Sequence, residues 1–515
     1  MKELSVTMSG INANVRNFIN NIRNDVEVES NLSDLKVALT GLNSHQLGDL
    51  ARESQLNYLF DCLNSSNRNQ ILITCDVLKL FLPSLSASHL LSQYGAAINR
   101  ALTHPYKEVK ETVLKELIRC VGSDAMMALI HQESDFLPSA VTSLCDEDTS
   151  VGCRAVDFFV SLGKTKSGLQ AICQPTIIRK LINNIGNNNI YAVRVFEVLV
   201  DIGVSSLESL KYLENEGLLD RLSTFLGTDD VLSMLALLEV CTKLATTDYG
   251  FDFLSRHGVI KNLVNQLASY NDYPAISSLT FPGLSKFFGL VAQAFPEKLL
   301  SNHVDILRCG FSAVDSTDLN IYIPALELIG LIAYTPEGKA VLQKQDEKYM
   351  RHIMGRLHEA MSKLPTEWRI RAVHVLANII HVETDRITNE ITRVNEAWFN
   401  QLGTSGMSML VTIARQPFPE LKAAGYLVLL NMANQRWGQY KINCYEGLMD
   451  FLLDRRTETD LEGHHMKYNI LKAIIETDTA DAILEPHVYE SIIDYVRQGP
   501  IFAPTVTEVA IEGAE

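Results

Sequence analysis

The sequence predicts an all-α protein in which helix pairs stack into one long solenoid, and three observations predict it. First, four segments carry the same apolar signature at a spacing of 41 residues. They are Phe136, Leu137, Ala140, Leu144; Ile177, Ile178, Leu181, Ile185; Leu218, Leu219, Leu222, Leu226; and Val259, Ile260, Leu263, Leu267. Such positions fall on one stripe of an α-helix. Second, the segment before each stripe has a helical face of its own, in Val151, Ala155, Phe158, Leu162, in Tyr191, Val195, Val198, Ile202, and in Met234, Leu238, Cys241, Ala245. Third, strand signals are nearly absent. A fixed period near 40 residues built from helices is that of armadillo- or HEAT-type repeats, whose apolar faces are buried only by stacking on their neighbours.

Taken in order, the chain opens with atypical capping repeats, and Ile71–Leu82 and Val109–Val121 read as helices of early units, with a turn at His104-Pro105. In the regular stretch, Gly186 and Gly227 stand where a helix should end. Asp148-Thr149 and Asp229-Asp230 then offer N-cap chemistry for the next helix. Gly217, Gly258 and Pro175-Thr176 precede the doublets. The period breaks at 268–282, where Ser269–Pro274 has loop chemistry and Phe281-Pro282-Gly283 starts a helix, an insertion or bend in the array. The stripe returns in Tyr349, Met350, Ile353 and Leu357, followed by helices at Arg369–Ile380, Leu421–Ala433 and Leu448–Leu453. One solenoid is therefore expected over 1–498, with an extended tail at 499–515.

The bulk numbers narrow the function. Against 45 basic residues stand 61 acidic ones, a net charge of −16, and no basic run occurs. That argues against nucleic-acid binding, which needs clustered Lys and Arg on phosphates. Acidity of this size serves solubility, or attraction to a basic partner face. The nine cysteines include no Cys-x-x-Cys pair, and most sit in apolar helical stretches, as expected of a reducing compartment. No secretory signal is read in residues 1–11, and the apolar runs Val231–Leu238 and Ala423–Leu430 are far shorter than the ~20 residues a spanning helix needs. The cytoplasm is the expected location, with the nucleus open.

No catalytic, cofactor or metal site is expected. Phosphate-loop, dinucleotide and nucleophile-elbow motifs are missing, and Leu402-Gly403-Thr404-Ser405-Gly406 is a turn with no preceding strand and no following Lys. His464-His465 beside Glu462 would point about 100° apart on a helix and could not share an ion. Helix capping accounts for Asp229-Asp230, and core packing for Cys444. Trp368, Trp398 and Trp437, all in the C-terminal part, read as packing between repeats before binding hot spots. In Lys286-Phe287-Phe288, adjacent aromatics on a helix face different ways, so Phe288 and Lys286 are carried as contact candidates.

Several segments together resemble one family. They are Phe281-Pro282-Gly283-Leu284-Ser285-Lys286-Phe287-Phe288-Gly289, Gly338-Lys339-Ala340-Val341-Leu342-Gln343-Lys344, Gln416-Pro417-Phe418-Pro419-Glu420-Leu421, and Glu512-Gly513-Ala514-Glu515 after Gly499-Pro500. They are similar to the 26S proteasome non-ATPase regulatory subunit 5 family. The resemblance implies an assembly chaperone for the base of the 19S regulatory particle. Such a protein holds base ATPase subunits, through their C-terminal domain, in a module with a large non-ATPase subunit, and leaves before the proteasome is complete. The contact would lie on the doublet helices, whose off-stripe residues are Arg179, Lys180 and Asn184; Asp220 and Arg221; and Lys261, Asn262 and Gln266. The competing reading is a generic armadillo-type adaptor. A transport adaptor of that kind usually shows a Trp and Asn ladder, and this region has Asn183-Asn184 and Asn262 but no Trp.

Overall fold

Each period folds as three helices, because a short helix stands between the two that the stripes reveal. Thr149–Gly163, Lys166–Ile172 and Pro175–Asn183 make one repeat, and Asn189–Ser205, Leu207–Asn215 and Leu222–Phe225 the next. The middle helix buries few apolar side chains, Leu169, Ala171 and Ile172 in one repeat and Leu210 and Leu213 in the next, and prints no doublet stripe of its own. This computed structural model describes residues 14–501, apart from residues 184, 186, 187, 228, 229, 273, 478 and 479. Gly186, Asp229 and all of the expected tail beyond Ile501 lie outside the described residues. By packing, the chain falls into two compact units, Met1–Phe253 and Leu254–Glu515.

In the first unit the first helices of successive repeats pack on one another in a row: Lys107–Cys120, Thr149–Gly163, Asn189–Ser205 and Val231–Ala245. The second unit repeats this with Pro274–Ala294, Leu319–Ile332, Thr366–Ile380, Pro419–Ala433 and Leu461–Ile475. A first helix meets neighbours on several sides, so burial exceeds the predicted stripe. In Asn189–Ser205, Tyr191, Val195, Val198 and Ile202 are buried as expected, and so are Phe196, Leu199 and Val200 across the helix. Burying one such side chain contributes about 1.5–3 kcal/mol. The third helices carry the doublets: Phe136, Leu137, Ala140 and Leu144 are all buried, as are Val259, Ile260, Leu263 and Leu267.

Two sequence expectations need correction. The helix expected to begin at Phe281 begins at Pro274 and runs through Pro282 to Ala294. Proline removes one backbone donor. The run Phe281, Leu284, Phe287, Phe288 and Val291 is nonetheless buried along its face, and that burial holds the helix through the proline. This is also a described helix that is long and apolar enough to cross a membrane, at 21 residues, a feature the short runs Val231–Leu238 and Ala423–Leu430 did not announce; 56% of its apolar window is buried in the core. The second correction concerns Tyr349, the first residue of the later doublet. Met350 is buried, but Tyr349 is 39% exposed.

The corner between first and second helices has its own chemistry. Thr165, Thr247 and Thr335 each cap a second helix, their Oγ1 accepting the N–H of Gly168, Gly250 and Gly338 at 3.1, 3.2 and 3.2 Å. The glycine allows the second helix to abut the end of the first. A Cβ at those three positions would meet the carbonyl oxygens of Leu162, Leu244 and Ile332 at 2.2, 2.1 and 1.7 Å. A Thr-x-x-Gly at these three corners is thus a sequence signal for the missing middle helix. Thr335→Ala removes a cap and is expected to cost about 1 kcal/mol, read as a lower urea midpoint; an unchanged midpoint would mean that Pro336 alone starts that helix.

Polar side chains then tie repeats together. Arg194 donates to the carbonyls of Leu144 and Asp146 at 2.8 and 2.7 Å, satisfying a helix end on the far side of the intervening repeat Thr149–Asn183. In the second unit Arg356 donates to the carbonyl of Val314, just past the preceding third helix, at 2.9 Å.

Candidate partner-binding surface

The predicted contact strip falls on third helices of both units. In the first unit, Arg179 is exposed on Pro175–Asn183, and its Nε donates back to Pro175 O at 3.1 Å. Lys180 is half-buried, and its ammonium is spent on the carbonyl of Pro138 in the preceding third helix, so it stitches repeats instead of facing outward. Asp220 and Arg221 are exposed in the turn before the short helix Leu222–Phe225. Asn184 lies outside the described residues.

In the second unit, Lys261 is exposed, while Asn262 and Gln266 are half-buried on Val259–Ala268. Lys286 is exposed, but it rides on a first helix, Pro274–Ala294, not a third. Phe288 is a misplaced candidate: it is 0% exposed and packs edge to face against Phe287, ring centroids 5.1 Å apart. The expectation that adjacent aromatics split between core and solvent fails here because this helix is packed on opposite sides.

The other candidates resolve into packing. Trp398 and Trp437 are buried, with Phe399 and Trp437 rings 5.3 Å apart across two repeats, and Trp368 lies under the Arg371 guanidinium. Cys444 is exposed, not a core thiol. Among the described residues no three His, Cys, Asp or Glu side chains converge as a metal cluster.

A feature that the sequence reading missed sits on third helices of the second unit. Val304, Leu307 and Phe311 from Asp305–Ala313 and its preceding turn face Tyr349 at the start of Glu347–Lys363, around a groove of about 430 Å³. Phe311 and Tyr349 stack with centroids 4.6 Å apart, and Val304 is 48% exposed. The surrounding cations are held by acids, Arg308 by Asp305 at 3.0 Å and Lys348 by Asp346 at 2.9 Å, and the His352 ring meets Asp315 at 2.8 Å. Asp346 is exposed, and the hydrogen bond from Lys348 still holds its carboxyl below the usual range. Exposed pairs of this kind contribute little each, so the surface suits reversible contact.

Comparison with known proteins decides the lineage. The family model described as "Proteasome non-ATPase 26S subunit" matches residues 11–515. The chain belongs to this family. The relative "26S proteasome non-ATPase regulatory subunit 5" of Homo sapiens is 28% identical over 96% of this chain and 98% of its own length. The protein of that name in Bos taurus is 29% identical over the same shares, and that of Drosophila melanogaster 24% identical over 92% and 94%. Solved structures that this family member resembles include the "Kap95:Nup1 complex", at TM-score 0.58 and 15% identity over 91% of this chain and 57% of that one. "Structure of Yeast Importin-beta (Kap95p)" follows at TM-score 0.55 and 14% identity, over 95% and 60%. At such identity the importin likeness speaks for the repeat fold alone.

Proposed function

We propose that this proteasome-family chain is an assembly chaperone for the 26S proteasome. It binds ATPase subunits of the 19S base through their C-terminal domain, in a module with a large non-ATPase base subunit, and it dissociates before the particle is complete. The observation that carries this reading is the match to the family over residues 11–515, together with relatives named as a 26S regulatory subunit over nearly their whole length. The architecture supports it, since a repeat array presents a long surface. A partner that must leave needs a contact of moderate apolarity, and isolated features such as the Phe311–Tyr349 stack among paired charges fit that need. The working location is the cytoplasm, and the nucleus as well. The chain acts by binding, without a cofactor and without turnover.

The test is an affinity pull-down from cytosol, resolved by native gel and mass spectrometry. Base ATPases recovered without the 20S core or the lid would support a chaperone on an intermediate. Whole proteasomes would instead mark a stable subunit, and neither would move the reading to a generic adaptor. Two charge-reversed forms locate the contact: Arg179→Glu with Arg221→Glu in the first unit, and Lys261→Glu in the second. Each is expected to lower ATPase recovery at least about tenfold. Undiminished recovery with both forms would remove the strip from the proposal.

A further inference from the structure

The second unit has thirteen arginines, and two of them, Arg393 and Arg436, have neither a hydrogen bond nor an ion pair among the described residues. Every other arginine there is engaged: by acids at Arg308, Arg351, Arg356, Arg371, Arg386, Arg456 and Arg497, by backbone carbonyls at Arg369, Arg415 and Arg455, and by a further contact at Arg256. The two unengaged guanidiniums are not scattered. They come from different repeats and line the same groove, of about 470 Å³, between second helices Asn389–Asn400, Arg436–Cys444 and Ala480–Ile483.

The floor of that groove is apolar and stiff. Trp437 is held by its Nε1, which donates to Gln435 Oε1 at 3.0 Å, and by the Phe399 ring 5.3 Å away. Tyr440, one helical turn on from Arg436, is 62% exposed and turns its ring to the groove, with Ile483 on the far wall. Glu396 is the single carboxylate among the lining residues, so the lining carries two positive charges against one negative in a chain of net charge −16. Arg, Trp and Tyr around a desolvated floor are the side chains that dominate binding hot spots. A guanidinium without an acid of its own is best satisfied by a carboxylate brought from outside.

We propose that this groove docks an extended acidic peptide segment of a partner protein, its carboxylates on Arg393 and Arg436 and one apolar side chain on Trp437, Tyr440 and Ile483. The groove lies on the row of second helices, whereas the contact strip proposed above lies mainly on third helices, so the two can fail separately.

The experiment uses the full chain and a fluorescein-labelled octapeptide EELEELEE, with KKLKKLKK as its counterpart, followed by fluorescence anisotropy at low salt. The acidic peptide is expected to bind saturably, with a Kd below about 100 μM, and to weaken as salt rises. Arg393→Glu with Arg436→Glu is expected to weaken it at least tenfold, and the milder Arg393→Gln with Arg436→Gln, which leaves the groove's shape, several-fold. Tyr440→Ala should weaken it without changing the salt dependence, while Arg497→Glu, on an exposed helix end, should leave it intact. All four sites are exposed or end-of-helix positions, and circular dichroism establishes that each form is folded. No saturable binding, equal binding of the lysine peptide, or unaltered binding in the Gln double form would overturn the proposal.

Discussion

Replacing Gly338 by alanine is expected to destabilise the second unit by at least about 3 kcal/mol, while the same change at Gly355 stabilises it by about 0.5–1 kcal/mol. Both glycines are helical and only 17 residues apart, so composition alone gives no reason for opposite signs. The reason is what a methyl group would meet. At Gly355 nothing lies within 4 Å, and alanine simply restricts the unfolded chain. At Gly338 a Cβ would stand 1.7 Å from the carbonyl oxygen of Ile332 and 2.9 Å from its carbon, both backbone atoms that cannot rotate away. The helices Leu319–Ile332 and Pro336–Gln343 meet at 113°, and the alanine would have to prise that corner open. Prising it open also withdraws the next side chain, Lys339, from the carbonyls it serves. Thermal and urea melts of the two single variants would check the contrast. A loss under about 1 kcal/mol for Gly338→Ala would mean that the corner is softer than its geometry implies.

That corner also explains how much of the fold was legible in the sequence. The 41-residue stripes specify the first and third helices because apolar side chains repeated over two or more turns leave a periodic trace. The second helices leave none, because they bury few apolar side chains, such as Leu210 and Leu213 in Leu207–Asn215, and are held by their caps and corners. Only a Thr-x-x-Gly at residues 165–168, 247–250 and 335–338 betrays them, and its meaning depends on a close approach that a one-dimensional pattern does not display. The same limit governs the surface. Off-stripe positions gave Arg179 and Lys261 correctly as exposed, yet Lys180 is drawn into a neighbouring repeat and Phe288 is enclosed. Position around one helix says which side leaves the stripe; it does not say whether another helix waits there. The groove holding Arg393 and Arg436 joins three helices distant in sequence, and no local motif marks it.

Stability should also rise with pH between about 7 and 10 through one buried lysine. The residue following the corner glycine occupies a buried slot in four repeats: Leu169, Phe251, Lys339 and Gln439, at 8, 3, 2 and 1% exposure. Where Leu and Phe fill it, no proton is involved. Lys339 fills it with an amine that donates to Ala333 O at 2.5 Å and to the carbonyl of Ile379. A neutral amine has two N–H groups for these two acceptors; an ammonium has a third with nowhere to go. The Trp398 ring 5.8 Å away and the two carbonyls favour the cation, but burial outweighs them and pushes Lys339 down to about 7. His381, which also lies near, has its own value lowered by burial first and in part by Lys339, so it titrates below this window. The unfolded chain therefore binds the Lys339 proton up to its ordinary value near pH 10.4, while the folded chain has released it near 7. Stability linked to this group consequently grows as pH rises through the window, by at most roughly 4 kcal/mol. Lys339→Met keeps the length and apolar stem and removes the proton. Urea midpoints of the two proteins, taken at several pH values from 7 to 10, should diverge in favour of the lysine as pH increases, with groups common to both cancelling in the difference. Parallel curves would show that Lys339 keeps its charge when folded, and the slot would then have to accommodate an unpaired cation on two carbonyls and a ring.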